Sequence, residues 1–451
     1  MATTLLHAET ALLAGGWSRN VRLMLIDGKI AAIDTDVPPR PEDETHRVFL
    51  PAMPNLHSHA FQRAMAGLAE VRGPADDSFW SWRAVMYRFA LSMTPDHVEA
   101  IAAQLYMEML EAGFTRVGEF HYLHHDKDGG AYGNIAEMAE RIGAASAETG
   151  INLTLLPVFY AHSGFGGASP LDGQRRFINS PKSFARLLEG CRNVTSKLPG
   201  AELGIAPHSL RAVTQEELDE VISLAGSNTP IHIHVAEQVK EVQDSIAWSG
   251  ARPIEWLLAN APVDKRWCLI HATHMTTEEA HGMARTGAIA GLCPITEANL
   301  GDGIFSAPEF LAAGGCFGIG SDSNVLISLP EELRTLEYSQ RLSRHSRNVI
   351  ADSGQSTGRR LFDEALKGGN AALGSTRGLD VGNAADIVSL DVSKMSHVSG
   401  DALLDSWIFA GAASVDSVWV AGSKQVENGR HQRRREIEKR FKSVMVDLLA
   451  G

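Results

Sequence analysis

The 451-residue sequence has no long hydrophobic run. No stretch approaches the roughly 18 consecutive apolar residues that a membrane-spanning helix needs, so we predict no membrane segment. The apolar start, MATTLLHAETALLAGG, lacks a basic region and is interrupted by His7 and Glu9, which does not fit a secretory signal. We therefore expect a cytoplasmic protein.

Cysteines are few and scattered. The four of them form no C-x-x-C pair, and three lie within apolar runs. We interpret them as small buried side chains, which fits a reducing compartment. They are Cys191, Cys268, Cys293 and Cys316.

Positive charge is in deficit, since the formal net charge is -13. A nucleic-acid partner is not expected, because phosphate binding needs a basic surface. A small anionic substrate remains possible, because a few local cations are enough to bind it.

Short apolar runs alternate with helical patterns through most of the chain. Helices are predicted at 94–113, 214–226 and 276–286, and Thr94 and Thr214 stand at N-cap positions. Buried strands that alternate with helices indicate a parallel sheet covered on both faces, and eight such strands predict an α/β fold of the (β/α)₈ TIM-barrel type over residues 50–383. The eight runs are 48–53, 115–120, 152–159, 201–207, 230–235, 266–271, 288–294 and 316–322.

The two ends of the sequence share a different pattern. Alternating segments around the Asp27-Gly28 dipeptide predict a hairpin, and similar segments recur at 384–392 and 416–429. We predict that residues 1–49 and 384–430 form one small β-sandwich domain. Residues 431–451 carry apolar side chains at helical spacing and predict a C-terminal helix.

Ionisable residues follow the predicted barrel strands, where barrel enzymes place their catalytic groups. His57 and His59 follow the first strand, His234 ends the fifth, and Asp322 ends the eighth. His-x-His alone also fits a polar strand end, but the combination predicts a metal site built from these four residues. Nitrogen and carboxylate ligands suit a divalent ion, and zinc is the leading candidate.

One metal ion is the simpler interpretation, because the run 201–213 contains no lysine that could bridge two ions. A single such ion can lower the pKa of bound water to about 7 and so supply hydroxide. Glu237, three residues after His234, is placed to transfer protons. His271, at the end of the sixth strand, can deprotonate or orient the water together with Asp322.

Five stretches of the sequence combine into a distinctive set of motifs: PNLHSHAFQRAMAGLAE, PHSLRAV, HIHVAEQ, LCPITEANLGDGIF, and GSDSN followed by EELRTLEYSQRL. Together they resemble the amidohydrolase superfamily and, within it, the formimidoylglutamate deiminase family. The resemblance covers essentially the whole chain and implies zinc-dependent hydrolysis of N-formimino-L-glutamate to N-formyl-L-glutamate and ammonia, a step of histidine degradation. It also implies a homodimer and the same metal and acid–base residues.

The same resemblance implies five substrate-binding residues. Arginine suits a dicarboxylate substrate, because its planar fork binds a carboxylate through two hydrogen bonds. Alternatives remain open for both arginines: Arg83 could stack on surface aromatics, and Arg211 could be solvated. The five residues are Gln62, Arg83, Tyr122, His208 and Arg211.

Other functions compete with this one. A related deaminase of purines or pyrimidines would use the same metal site, whereas a non-catalytic barrel would be expected to lack some of the ligands. The Gly-rich segment 161–179 fits either a mobile lid or an inert insertion.

Overall fold

The structure is a computed structural model that describes residues 3–72, 79–375 and 378–450. Its strands, in chain order, are β1 Thr3–Leu13, β2 Gly16–Ile26, β3 Lys29–Asp34, β4 Glu44–Pro51, β5 Met53–Ser58, β6 Phe114–His121, β7 Asn152–Phe159, β8 Glu202–Leu203, β9 Ala206–Pro207, β10 Ile231–Val235, β11 Trp267–His271, β12 Ile289–Leu292, β13 Cys316–Ile319, β14 Ile387–Asp391, β15 Ser414–Val420, β16 Ser423–Glu427 and β17 Arg430–His431.

The α-helices among the described residues are α1 Phe79–Ser92, α2 Pro95–Glu111, α3 Glu137–Thr149, α4 Pro181–Thr195, α5 Gln215–Ser223, α6 Val239–Ser249, α7 Pro253–Asn260, α8 Thr277–Thr286, α9 Pro294–Leu300, α10 Ala307–Ala312, α11 Leu329–Arg344, α12 Thr357–Ala372, α13 Asp401–Ala410 and α14 Arg434–Ala450. Among the described residues, no helix is both long and apolar enough to cross a membrane.

Strands β5 to β13 form a closed parallel barrel. Two sheets, β5-β6-β7-β8 and β10-β11-β12-β13, contribute most of the strands, and β9 pairs with β7. Single bridges join the sheets at Ile205–Ile231 and Ser209–His234, and a third bridge, Ser58–Asp322, closes the ring. Because the fourth strand is split into β8 and β9, the ring has eight strand positions, which confirms the predicted TIM-type barrel.

The first predicted strand, 48–53, spans two different strands. β4 lies in the terminal sheet, between β1 and β14, whereas β5 begins the barrel. The change occurs at Ala52, whose N–H donates to Asp386, while the next N–H, of Met53, donates to Gly113. The prediction of one barrel strand was therefore wrong, because an uninterrupted apolar run does not show where the chain changes hydrogen-bonding partners.

Both ends of the chain contribute to one eight-stranded sheet, in the order β17-β16-β15-β14-β4-β1-β2-β3. The sequence predicted a β-sandwich here, and the strands hydrogen bond as this single continuous sheet. The predicted hairpin joins β2 and β3, with Asp27 and Gly28 both at positive φ. Glycine is needed at the second position, since a Cβ there would lie 2.9 Å from the Ala421 carbonyl oxygen.

The predicted helix signals are present. The Thr94 side chain caps α2 by accepting from the His97 N–H, and Thr214 caps α5 by accepting from the Glu217 N–H. The predicted C-terminal helix is α14, which packs against α2. All four cysteines are free thiols, and three of them are buried.

Candidate metal centre and active site

Three histidines and one aspartate converge at the C-terminal end of the barrel. The His57 and His234 Nε2 atoms lie 3.1 Å apart. The Asp322 Oδ1 atom lies 3.3 Å from His57 Nε2 and 3.1 Å from His59 Nε2. All four residues are buried, and the structure thus brings together the four predicted metal ligands.

The hydrogen bonds of two histidines fix which ring nitrogen faces the centre. His59 Nδ1 lies 3.0 Å from the Phe120 carbonyl oxygen, and His234 Nδ1 lies 3.0 Å from the His208 carbonyl oxygen. A carbonyl only accepts, so each Nδ1 carries the hydrogen and each Nε2 presents a lone pair. Lone pairs and a carboxylate that converge without a hydrogen between them fit a divalent cation.

The pKa values of His57, His234 and Asp322 favour the forms of these side chains that bind metal. Burial lowers the pKa of His57 to about 3 and holds the pKa of His234 well below its usual value. Burial raises the pKa of Asp322, but the imidazole rings beside this carboxylate outweigh burial and hold its pKa well below the ordinary value. Neutral imidazoles and an ionised carboxylate can bind a cation without first losing protons.

The position of Asp322 depends on the backbone of the GSDSN motif. Asp322 has a φ of 46°, and its N–H donates to the His57 carbonyl over 3.0 Å. A Cβ at Gly320 would lie 2.7 Å from that same carbonyl oxygen, so only glycine allows this close approach of the two strand ends. Asn55 holds the turn by donating to the Ser321 hydroxyl over 2.7 Å.

Glu237 and His271 lie beside the ligand group. His271 Nε2 is 3.8 Å from Glu237 Oε1 and 3.8 Å from Asp322 Oδ2. Burial lowers the pKa of His271, but Glu237, Glu297 and Asp322 raise it to about 10. Burial also raises the pKa of Glu237. The structure thus places His271 between Asp322 and Glu237, the other predicted proton-transfer residue.

Two glutamates that the sequence analysis did not identify hold these groups in place. Glu297, on α9, lies 3.3 Å from His271 Nδ1 and also accepts the Cys293 N–H over 2.9 Å. Glu241, on α6, accepts the N–H groups of Ala236 and Glu237 over 3.1 and 3.0 Å. The spacing of Glu241 four residues after Glu237 is the only sequence signal, and it is too common to be informative.

The five predicted substrate-binding residues line the same cavity as Glu237 and three of the four ligands, His59, His234 and Asp322. Gln62 donates to the Tyr122 hydroxyl over 2.8 Å, and an Arg211 Nη2 atom lies 3.6 Å from Glu237 Oε2. Arg211 is buried, which excludes the alternative of a solvated side chain. The Arg83 guanidinium stacks over the Tyr87 ring, 5.4 Å from its centroid, as the alternative for Arg83 predicts, and both side chains also line the cavity.

Further cavity-lining residues were not predicted from the sequence, since nothing in their local patterns distinguishes them from core side chains. They are Trp82, Met86, Tyr87, Tyr160, Phe177 and Leu300.

The comparisons with known proteins agree with this fold and identify the family. The amidohydrolase family model matches residues 48–424, and the model for the formimidoylglutamate deiminase HutF N-terminal domain matches residues 3–47. The chain belongs to the amidohydrolase family and is a hydrolase. Within that family, its sequence is 51% identical to a formimidoylglutamate deiminase from Pseudomonas aeruginosa, over 98% of this chain and 99% of the relative.

Solved structures show the same relationship. A crystal structure of an amidohydrolase from Brucella melitensis is 62% identical in sequence, with a TM-score of 0.97 over 99% of this chain and 100% of that one. An adenosine deaminase from Xanthomonas campestris, solved with bound zinc, has a TM-score of 0.81 over 99% of each chain at 22% identity, a likeness that shows the fold alone.

Proposed function

We propose that the chain hydrolyses N-formimino-L-glutamate to N-formyl-L-glutamate and ammonia, with one zinc ion, in the degradation of histidine. The observation that supports the proposal is one cavity in which Glu237 and two arginines lie beside three members, His59, His234 and Asp322, of the four-residue ligand group. The 51% identical relative named formimidoylglutamate deiminase supports the choice of substrate.

His57, His59, His234 and Asp322 would hold the metal. Three imidazoles and one carboxylate suit zinc, which would act as a Lewis acid and lower the pKa of a water molecule in the cavity. The donor set permits other divalent ions, and elemental analysis of the purified protein identifies the ion bound.

His271 and Asp322 supply the base in this proposal. Their side chains lie 3.8 Å apart. A divalent cation held beside His271 would lower the pKa of this imidazole from its value of about 10 in the metal-free site. His271 and Asp322 could then accept a proton from the attacking water as its oxygen bonds to the formimino carbon. The carbon becomes tetrahedral, and its nitrogen must gain a proton before it can leave as ammonia rather than as an amide anion.

Glu237 supplies that proton. Burial raises the pKa of its carboxyl, which favours the protonated form that a general acid requires. In its ionised form the same group also attracts a cationic formimino substrate.

Arg83 and Arg211 would bind the substrate carboxylates, while Gln62, Tyr122 and His208 shape the pocket around them. Both arginines lie on the cavity wall, and such cations favour an amino-acid derivative with two carboxylates over a neutral purine.

An ammonia-release assay tests the function. Metal-quantified protein is incubated with N-formimino-L-glutamate, guanine and adenosine in parallel, and release only from the first is expected. Release from a purine with none from formiminoglutamate would show a related deaminase instead. No release from any of the three by fully loaded protein would count against both enzymes and for a non-catalytic barrel.

The oligomeric state, the cellular compartment and the domain division are also proposals. We propose a homodimer in the cytoplasm and a barrel domain at 50–383, flanked by the composite sheet domain of 1–49 and 384–430 and by a C-terminal helix at 431–451. Light scattering after gel filtration measures the oligomeric state, and a mass of one chain, 48.7 kDa, would exclude the dimer.

A further inference from the structure

The second half of the 161–179 segment is fixed to the barrel. Arg176 is fully buried and donates through Nε to the His125 carbonyl over 2.8 Å. Its Nη1 atom donates to the carbonyls of Ala90 and Met93, at the end of α1 and just beyond it. These contacts tie this part of the segment to two other parts of the chain, and a freely mobile lid is not expected there.

Gln174, two residues earlier, is held in one orientation. It is fully buried, and its Oε1 atom accepts the Leu171 N–H over 2.7 Å. Only the carbonyl oxygen of the amide can accept, so this bond identifies the other terminal atom as the amide nitrogen. That nitrogen lies 2.8 Å from the Tyr160 hydroxyl and 3.2 Å from the Tyr87 hydroxyl.

The Gln174 amide nitrogen therefore donates a hydrogen bond to the hydroxyl oxygen of each tyrosine. Each phenol oxygen accepts from Gln174, which leaves the hydroxyl hydrogen of each tyrosine to be donated elsewhere. If Tyr87 donates to Tyr160, or the reverse, one hydrogen is still left. Burial raises the pKa of Tyr160, so the hydroxyl keeps its hydrogen at neutral pH.

The two tyrosines face the part of the cavity that holds the arginines. Tyr87 and Tyr160 line the same cavity as Arg83 and Arg211, and the positive charges of both arginines act on the Tyr160 hydroxyl. Tyr160 also packs on His208, with ring centroids 4.4 Å apart. A hydroxyl hydrogen directed into a space lined by two cations is suited to a carboxylate oxygen.

We propose that Tyr160, together with Tyr87, determines specificity by donating a hydrogen bond to one carboxylate of the substrate, and that Gln174 is the positioning residue that directs both hydroxyls toward it. The inference rests on the proposed function for the identity of the carboxylate ligand. It gives the 161–179 segment a role in substrate selection.

Tyr160→Phe is the first test, since it removes only the hydroxyl. Because a hydrogen bond to a charged group is lost, we expect KM for N-formimino-L-glutamate and the dissociation constant of N-formyl-L-glutamate to rise on the order of 10-fold or more, with kcat changed less than about 3-fold. Tyr338→Phe on α11, a half-exposed tyrosine outside the cavity, is the matched control. If the wild type and Tyr160→Phe have the same KM and the same dissociation constant for N-formyl-L-glutamate, the proposal is wrong.

Gln174→Glu tests the positioning role. Glutamate still accepts the Leu171 N–H, but its second oxygen accepts from the tyrosines and turns their hydrogens away from the cavity. We expect a loss of product binding at least as large as that of Tyr160→Phe, and little further loss when the two changes are combined. If the loss of product affinity in the double variant equals the product of the losses in the two single variants, Gln174 does not act through Tyr160. If Tyr160→Phe does not fold, as judged by circular dichroism, Tyr87→Phe and Gln174→Glu provide the test.

Shortened substrates separate this inference from the proposed function. Two analogues, N-formimino-4-aminobutyrate and N-formimino-2-aminobutyrate, each lack one carboxylate. For the analogue without the carboxylate that Tyr160 contacts, Tyr160→Phe should no longer raise KM. A penalty that persists with both analogues would refute the carboxylate contact. Wild-type protein that neither turns over N-formimino-L-glutamate nor binds N-formyl-L-glutamate would instead refute the proposed function.

Discussion

Glu297 offers the most direct test of how the site controls His271. Its Oε1 atom lies 3.3 Å from His271 Nδ1 and accepts the Cys293 N–H. In Glu297→Gln the amide oxygen can keep both bonds, so that substitution removes the charge and preserves the geometry. Glu297→Leu removes the charge and the acceptor together.

The distance between Glu297 and His271 sets the size of the expected pKa shift. Two unit charges 3.3 Å apart interact by about 5 kcal/mol at an effective dielectric constant of about 20, which sets an upper limit near 4 pKa units because one unit corresponds to 1.36 kcal/mol. Single neighbouring charges shift a pKa by about 1–3 units. We therefore expect the pKa of His271, about 10 in the metal-free protein, to fall by about 1–3 units in Glu297→Gln.

Histidine-labelled NMR of the metal-free protein measures this shift directly. In the metal-loaded enzyme, Glu297→Leu should lower kcat/KM by about 10- to 100-fold, the cost of losing a hydrogen bond between charged groups, and Glu297→Gln should lower it less. Glu278→Gln, in the exposed first turn of α8, is the matched control. If the pKa of His271 is the same in Glu297→Gln as in the wild type, or if Glu297→Gln loses more activity than Glu297→Leu, Glu297 does not control His271 through its charge and hydrogen bond.

Three further results are expected. Glu237→Gln should reduce kcat by about 10²- to 10⁴-fold while the metal content stays near one per chain, and loss of metal in elemental analysis would make Glu237 structural. Arg211→Met should mainly raise KM, and an unchanged KM would remove Arg211 from the binding residues. Burial lowers the pKa of His232 to about 4, below its usual 6.5, so its contribution to stability is present above pH 6.5 and lost as the pH falls toward 4. Between pH 7 and pH 4 the unfolding free energy of the wild type should therefore fall by roughly 3 kcal/mol more than that of His232→Gln. Denaturant unfolding of both proteins at the two pH values measures this difference.

Most of the barrel could be predicted from the sequence, because its strands are short apolar runs between capped helices. The regular pattern identified β6, β7 and β10 to β13 at nearly their observed bounds. It failed at 48–53, where one apolar run serves two sheets and the partner changes at Ala52. Local hydrophobicity reports that a strand is buried, but it does not report which strand lies beside it.

The metal group was predictable for a related reason. His57, His59, His234 and Asp322 all follow barrel strands, and parallel strands bring their ends to one rim. Glu297 and Gln174 gave no comparable signal, since one lies on a short helix and the other in a long connecting segment. Their roles depend on neighbours that are 26 residues away in one case and 87 and 14 in the other.

Strand periodicity and residue type were enough to predict the barrel class, the chemistry of the ligands and the rim on which they lie. The folded chain was needed to show which nitrogen of His59 and of His234 faces the centre, why Gly320 must lack a side chain, and that Gln174 holds the hydroxyls of two tyrosines. Those features are set by hydrogen bonds and close contacts between residues that are distant in sequence. Local pattern carries no information about such contacts, which exist only after the barrel has closed through the Ser58–Asp322 bridge.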